Sequence, residues 1–137
     1  MTRSHSCLML NLSMTVTLHL TPDMNNSASG LAAPTRYRLR KQAIATLTLT
    51  ELLARYPGAA PVVKMDIESF EHEAVHGGEA AFRAGAIRAL ILELHHAMLR
   101  KRGLAVDAVP RLLRSCGYEQ VADTYGLVWA RPGIVPA

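Results

Sequence analysis

The sequence has few cysteines and few aromatic residues, and both shortages limit what the protein can be. Its two cysteines, Cys7 and Cys116, lie far apart, so neither a disulfide framework nor a cysteine-based zinc site is indicated. Aromatic residues make up only 5% of the chain, so a core must be built from aliphatic side chains. Such a core suits helices packed on a sheet better than a small aromatic-rich barrel.

Long apolar runs and a strong charge of one sign are lacking as well. Polar residues interrupt the uncharged stretch between Arg3 and Asp23, whereas a membrane-spanning helix needs about 20 predominantly apolar residues. The net charge is only +4, and the basic residues at 36–41 and 100–102 have a single aromatic neighbour, Tyr37, for stacking on bases. We therefore expect a cytoplasmic protein that partners neither a membrane nor a nucleic acid.

What remains is a chain of 137 residues, 50% hydrophobic and 19% charged, which is expected to fold. Residues 14–20 alternate polar and apolar side chains, as half-buried strands do, and residues 36–40 repeat the pattern. A loop rich in turn-forming residues separates them. Thr50 is suited to cap a short helix that ends before Pro57.

The second half of the chain has a different pattern. Residues 62–67 and 87–94 form short apolar runs, which are typical of parallel strands covered on both faces, and helical stretches follow each run. Residues 118–121 and 127–130 flank a turn and predict a closing antiparallel hairpin. Strands that alternate with helices indicate an α/β fold.

One motif resembles a zinc site. Residues 72–76 read HEAVH, a literal match to the pattern in which two histidines one helical turn apart bind zinc and the glutamate acts as a base. No third histidine follows at a suitable spacing, Gly77 and Gly78 end the helix, and Glu93, another conceivable ligand, falls inside an apolar strand. A zinc hydrolase using His72, Glu73 and His76 is kept as an alternative.

Acidic residues follow the two predicted parallel strands. Asp66 and Glu68 come at the end of the first strand, and Glu93 and His95 close the second. In open α/β sheets, ligands bind outside the carboxyl ends of the strands, where these side chains are expected to meet. The alternative explanation is helix capping, because acids favour the positive end of a helix dipole.

The same residues carry a family resemblance. Residues 64–78, KMDIESFEHEAVHGG, resemble the K-x-D-x-E-G-x-E-x-x-x-L-x-G-A signature of FkbM-type S-adenosylmethionine-dependent methyltransferases. Residues 48–53, TLTELL, resemble the T-L-D-E-L-L helix start of that family, and residues 90–95, LILELH, resemble its strand ending in E-x-H. The order and spacing of these segments extend the resemblance from about residue 12 onwards.

This resemblance implies a Rossmann-like sheet, S-adenosylmethionine as cofactor, and methylation of a hydroxyl on a sugar or small metabolite. Asp66 and Glu68 would border the cofactor, and Asp66, Glu93 and His95 would be the catalytic residues, with no metal. Histidine suits a general base near neutral pH. His72 and His76 fall where the family pattern is variable.

Two departures from the family pattern have consequences. Ser69 replaces a glycine, and no counterpart is found for the family's first strand and its glycine-rich turn. We therefore expect one partial domain over residues 1–137, with an uncertain segment at 1–13, strands, loop and helix at 14–60, and the α/β core at 61–137. Its first parallel strand would be an open edge that pairs with a second copy or with a missing half of the domain, or that the N-terminal segment at 7–12 covers. A chain inactive on its own, or a non-catalytic interaction module, stays open beside the enzyme.

Overall fold

The computed structural model describes residues 15–20, 40–58, 60–67, 70–121 and 127–133. Its strands are β1 (Thr15–Leu20), β2 (Arg40–Ala45), β3 (Val62–Met65), β4 (Ala89–Leu92), β5 (Glu119–Gln120) and β6 (Val128–Ala130). Its helices are α1 (Leu49–Ala54), α2 (Glu71–Gly77), α3 (Glu79–Arg83), α4 (His96–Lys101) and α5 (Ala108–Ser115). Strands alternate with helices through the second half of the chain, so the predicted α/β class is confirmed.

The larger sheet has the strand order β3-β4-β6-β5. Strand β3 runs parallel to β4, with Val62 opposite Ala89 and Met65 opposite Leu92. Strand β6 is antiparallel to both β4 and β5, which confirms the predicted closing hairpin. Because β4 has a neighbour on each side, its residues are mostly buried, and this explains the apolar run that predicted it.

Strand β3 has one partner among the described strands. It pairs with β4 alone, and Val62 is 59% exposed. The pairing expected at its other edge, with a second copy or with a missing half, stays a prediction.

Strands β1 and β2 form a separate antiparallel pair, in which Thr15 lies opposite Ala45 and Leu20 opposite Arg40. The strand predicted at 14–20 is therefore confirmed. The strand predicted at 36–40 meets β2 only at Arg40, and residues 36–39 lie outside the described part of the chain.

Helix α1 begins with a capping box at a different threonine from the one predicted. Thr48 is the N-cap: its hydroxyl accepts a hydrogen bond from the Glu51 N–H, and its own N–H donates to Glu51 Oε2 at 2.7 Å. The prediction of Thr50 as the cap was wrong, because Thr50 lies inside the helix and donates to the Gly77 carbonyl at 3.0 Å. A Cβ on Gly78 would lie 2.8 Å from Leu49 Cδ2, so glycine there allows α1 to pack closely.

The core lies between the larger sheet and its helices. Its largest fully buried side chains include Tyr118, Phe82, Leu49, Met65, Ile87 and Leu90. Phe82 and Tyr118 meet edge to face, with ring centroids 5.4 Å apart. Burial raises the pKa of Tyr118, and its hydroxyl donates to the Ile87 carbonyl at 2.5 Å.

Arg131, the residue that follows β6, contacts a buried aromatic ring and three backbone carbonyls. The Arg131 guanidinium lies over the Tyr118 ring and donates to the carbonyls of Phe82, Arg83 and Cys116 at 2.8 to 3.2 Å. Gly85 has φ of +68°, and a Cβ there would lie 2.6 Å from Arg131 Nη1. A larger residue at position 85 would be strained by this backbone conformation and would displace the Arg131 guanidinium.

Replacing Tyr118 by phenylalanine should lower the free energy of unfolding by about 1 to 2 kcal/mol, because the buried Ile87 carbonyl loses its donor. Urea unfolding of the two proteins measures this difference. Tyr56→Phe is the matched control, since Tyr56 is 63% exposed and the same change there should have little effect. Equal losses in the two variants would contradict the account of the core.

Candidate functional site

The parallel pairing of β3 and β4 brings the residues after both strands to one edge of the sheet. Asp66 follows β3, and Glu93 follows β4. The Glu93 N–H donates to the Met65 carbonyl at 3.0 Å, so the two strands remain hydrogen-bonded up to this edge. We call the side chains of Asp66, Glu71, Glu93 and His95 the carboxyl edge.

Asp66 is a partly exposed carboxylate between two basic side chains. Its Oδ2 lies 3.5 Å from Lys64 Nζ, and its Oδ1 lies 3.9 Å from His95 Nε2. The Asp66 side chain is 37% exposed, whereas that of His95 is 21% exposed. The predicted site residues Asp66 and His95 are thus neighbours, and Asp66 keeps a surface open to a ligand.

His95 is held from its other side by a buried glutamate. Its Nδ1 lies 2.8 Å from Glu71 Oε1, and Glu71 is 0% exposed. Glu71 is in the first turn of α2, where the helix dipole favours negative charge, and His95 is the residue that precedes α4. A buried carboxylate needs such a partner, because an ionised group without one is costly to bury.

One further predicted site residue, Glu93, stands apart from this contact. The Glu93 side chain is exposed and lies outside the contacts that join Asp66, His95 and Glu71. Glu68 and Ser69 lie outside the described residues. The structure therefore brings together two of the predicted residues, Asp66 and His95, and adds Glu71.

Sequence reasoning did not select Glu71 as a site residue. It was one of four neighbouring acids, Asp66, Glu68, Glu71 and Glu73, and nothing in the local sequence marks Glu71 as the one that becomes fully buried. Two features of the sequence could have suggested a contact: Glu71 lies in the first turn of the predicted helix, and His95 follows the next strand.

The glutamate of the HEAVH segment has a structural partner. Glu73 forms an ion pair with Arg102, the residue that ends α4, with a second contact of 3.3 Å between Oε2 and Nη1. Arg102 also lies over the Phe70 ring, 4.9 Å from its centroid. A glutamate paired in this way is poorly placed to be the free base that a zinc hydrolase requires.

The two histidines of that segment lie against each other on α2. The ring centroids of His72 and His76 are 4.4 Å apart. Within the described ranges, no three His, Cys, Asp or Glu side chains are grouped as metal ligands would be. Burial lowers the pKa of His72, with the neighbouring His76 adding to the effect. Nothing in this geometry favours the zinc alternative.

An open hollow of about 630 Å³ lies beside β5, at the opposite end of the sheet from the carboxyl edge, because Glu119 of β5 is aligned across β6 with Ala89 at the start of β4. Its lining contains no histidine and consists of Arg114, Gly117, Tyr118, Glu119, Gln120 and Pro132. We favour the carboxyl edge as the site, because it combines several carboxylates with an imidazole at the ends of parallel strands, whereas the hollow has one carboxylate, Glu119, and no histidine.

Comparison with known proteins identifies a family. The model of the family described as "Methyltransferase FkbM domain" matches residues 9–119. No curated protein and no solved structure matches the chain. Over the part of the chain that the structure describes, no helix has the length and apolar character needed to cross a bilayer.

The lowered pKa of His72 predicts how stability depends on pH. The unfolded chain binds the proton at a higher pH than the folded protein does, so the folded state loses stability as pH falls through the ordinary pKa of 6.5. His72→Gln removes this contribution. The loss of unfolding free energy between pH of about 8 and about 5.5, measured by urea titration, should therefore be smaller in the variant. An identical or larger loss in His72→Gln would contradict the partly buried environment of this ring.

Proposed function

Because the chain belongs to the FkbM methyltransferase family, we propose that it is an S-adenosylmethionine-dependent methyltransferase acting on a hydroxyl of a sugar or small metabolite. The family match covers most of the chain and supports the methyltransferase class. The observation that carries the assignment to a site is the 3.9 Å approach of His95 Nε2 to Asp66 Oδ1 at the carboxyl ends of two parallel strands. We take the sheet to be Rossmann-like on the same grounds.

The carboxylates at the carboxyl edge are suited to bind part of this cofactor. Carboxylate oxygens accept hydrogen bonds from ribose hydroxyls, and negative charge attracts a positively charged sulfonium group. Asp66 is the described residue best placed for this role, since its side chain is partly exposed at the end of β3. Glu68 is the second residue proposed to bind the cofactor.

The chemistry required of the protein is modest. When bound, S-adenosylmethionine supplies an already activated methyl group, so the chain has to align the hydroxyl, exclude water and accept its proton. His95 Nε2 is the proposed proton acceptor, because the ring is held by Glu71 and only partly exposed. The exposed Glu93 carboxylate would orient the hydroxyl by accepting a hydrogen bond from another polar group of the acceptor.

A zinc hydrolase and a non-catalytic module are the two alternatives to this function. The zinc hydrolase has no observation in its favour, because Glu73 is paired with Arg102 and three grouped ligands are not found in the described residues. A non-catalytic module that kept the fold and lost cofactor binding is separated from the enzyme by a binding measurement.

Calorimetric titration with S-adenosylhomocysteine, the product of every such transfer, should give saturable binding at one site. Asp66→Asn should weaken binding about tenfold or more, because the amide keeps the shape but loses charge-assisted hydrogen bonds worth about 1.5 to 3 kcal/mol.

Asp107→Asn is the matched control, since Asp107 is an exposed aspartate that pairs with Arg111 on α5, away from the carboxyl edge. It should bind as the wild type does. Absence of heat from a chain shown to be folded would refute cofactor binding by this chain. Equal weakening in both variants would refute the placement of the cofactor beside Asp66.

A further inference from the structure

Helix α2 carries two histidines that the proposed methyl transfer does not use. The buried side chains of this helix are Glu71, Ala74 and Val75, which form its inner face. His72 and His76 lie outside that face and are only partly buried. Because they are four positions apart, they lie one above the other on the same side of the helix.

The two rings lie close enough to bind one metal ion together. Their centroids are 4.4 Å apart, and their planes are inclined at 46°. Zinc binds histidine nitrogens at about 2.0 to 2.1 Å, so two nitrogens on one tetrahedral ion lie about 3.3 Å apart. Two histidines one helical turn apart are a known zinc-binding arrangement, which small rotations of the side chains complete.

The charges next to the pair are balanced. Glu73 and Arg102 both act on His72, one with negative and one with positive charge. They form an ion pair with each other, so their combined field at a bound cation is small. Among the residues that the structure describes, no third His, Cys, Asp or Glu joins the two histidines as a ligand group. The two imidazoles are therefore the ligands from which a site is built.

We propose that His72 and His76 form a chelating site for one divalent ion of the zinc, nickel and copper class, apart from the carboxyl edge. Imidazole nitrogens suit these metals, whereas Mg²⁺ and Ca²⁺ prefer oxygen ligands. Two protein ligands leave the other coordination positions to water, so the ion exchanges with solution. The site differs from that of a zinc hydrolase, because Glu73 is paired with Arg102. It does not depend on the proposed function, since neither histidine belongs to the carboxyl edge.

A bound ion links two successive turns of α2. This helix has seven residues, and its first turn carries Glu71 and Glu73, which contact the segments around α4. The two rings meet in the helix and separate when the chain unfolds, so the ion binds the folded state more tightly. Metal binding is therefore expected to stabilise the folded chain.

Calorimetric titration of the metal-free chain with zinc chloride, at a pH of about 8 where an ordinary histidine is neutral, tests the site. Zinc should bind saturably with one ion per chain, and magnesium chloride should give no binding heat. His72→Gln and His76→Gln should each weaken zinc binding about a hundredfold or more, because a two-point attachment becomes a single one. His96→Gln is the matched control: His96 is an exposed histidine that begins α4, and its loss should leave binding unchanged.

Position is tested without disturbing the site by adding small amounts of copper(II), which binds imidazole more tightly than zinc does. Its unpaired electron broadens nearby NMR signals, and the broadening should begin at the rings of His72 and His76. His95→Gln should retain zinc binding, since His95 lies at the carboxyl edge. Loss of binding in His95→Gln, or broadening centred on another part of the chain, would overturn the proposal. A folded wild type that takes up no zinc would overturn it as well.

The stabilising effect has its own measurement. The urea midpoint of the wild type should rise on addition of zinc, and that of His76→Gln should not. Equal rises in the two proteins would show that the ion acts elsewhere and would contradict the site. Binding of S-adenosylhomocysteine decides the proposed function separately, because a chain that binds zinc at this pair and not the cofactor product refutes the methyltransferase assignment alone.

Discussion

A hydrogen bond between the buried Glu71 carboxylate and the His95 ring joins the two segments that follow the parallel strands β3 and β4. Glu71 belongs to α2, which follows β3, and His95 lies between β4 and α4. Because the two side chains come from different strand–helix units, their 2.8 Å contact fixes one unit against the other. The position of His95 beside Asp66, and hence the candidate site, depends on this contact.

Much of the fold could be predicted from sequence because apolar patterning reports burial directly. The runs at 62–67 and 87–94 became β3 and β4, and the closing hairpin was predicted from two segments around a turn. The cap of α1 was mistaken because two threonines lie close together, and the glutamate three residues after Thr48 makes that threonine the cap. Asp66 and His95 could be predicted from the ends of their strands. Burial of Glu71 could not, since it depends on tertiary contact with His95.

The HEAVH segment illustrates why a motif needs its structural context. Its glutamate pairs with Arg102, a residue 29 positions later, and this pair joins the start of α2 to the end of α4. At the start of α4, His95 contacts Glu71 of α2. Both ends of α4 are therefore joined to α2 through side-chain contacts. The glutamate of the segment that suggested zinc chemistry therefore holds together the two helices next to the carboxyl edge. This structural role is in keeping with membership of the FkbM methyltransferase family.

Binding of the cofactor product at the carboxyl edge is tested most directly by mapping amide chemical shifts of the folded chain during addition of S-adenosylhomocysteine. Saturable shifts are predicted at residues 65–67 and 93–96, which end β3 and β4, with none at residues 117–120 beside the hollow at the opposite edge. Shifts centred on residues 117–120, or no shifts at saturating ligand, would contradict the placement of the site.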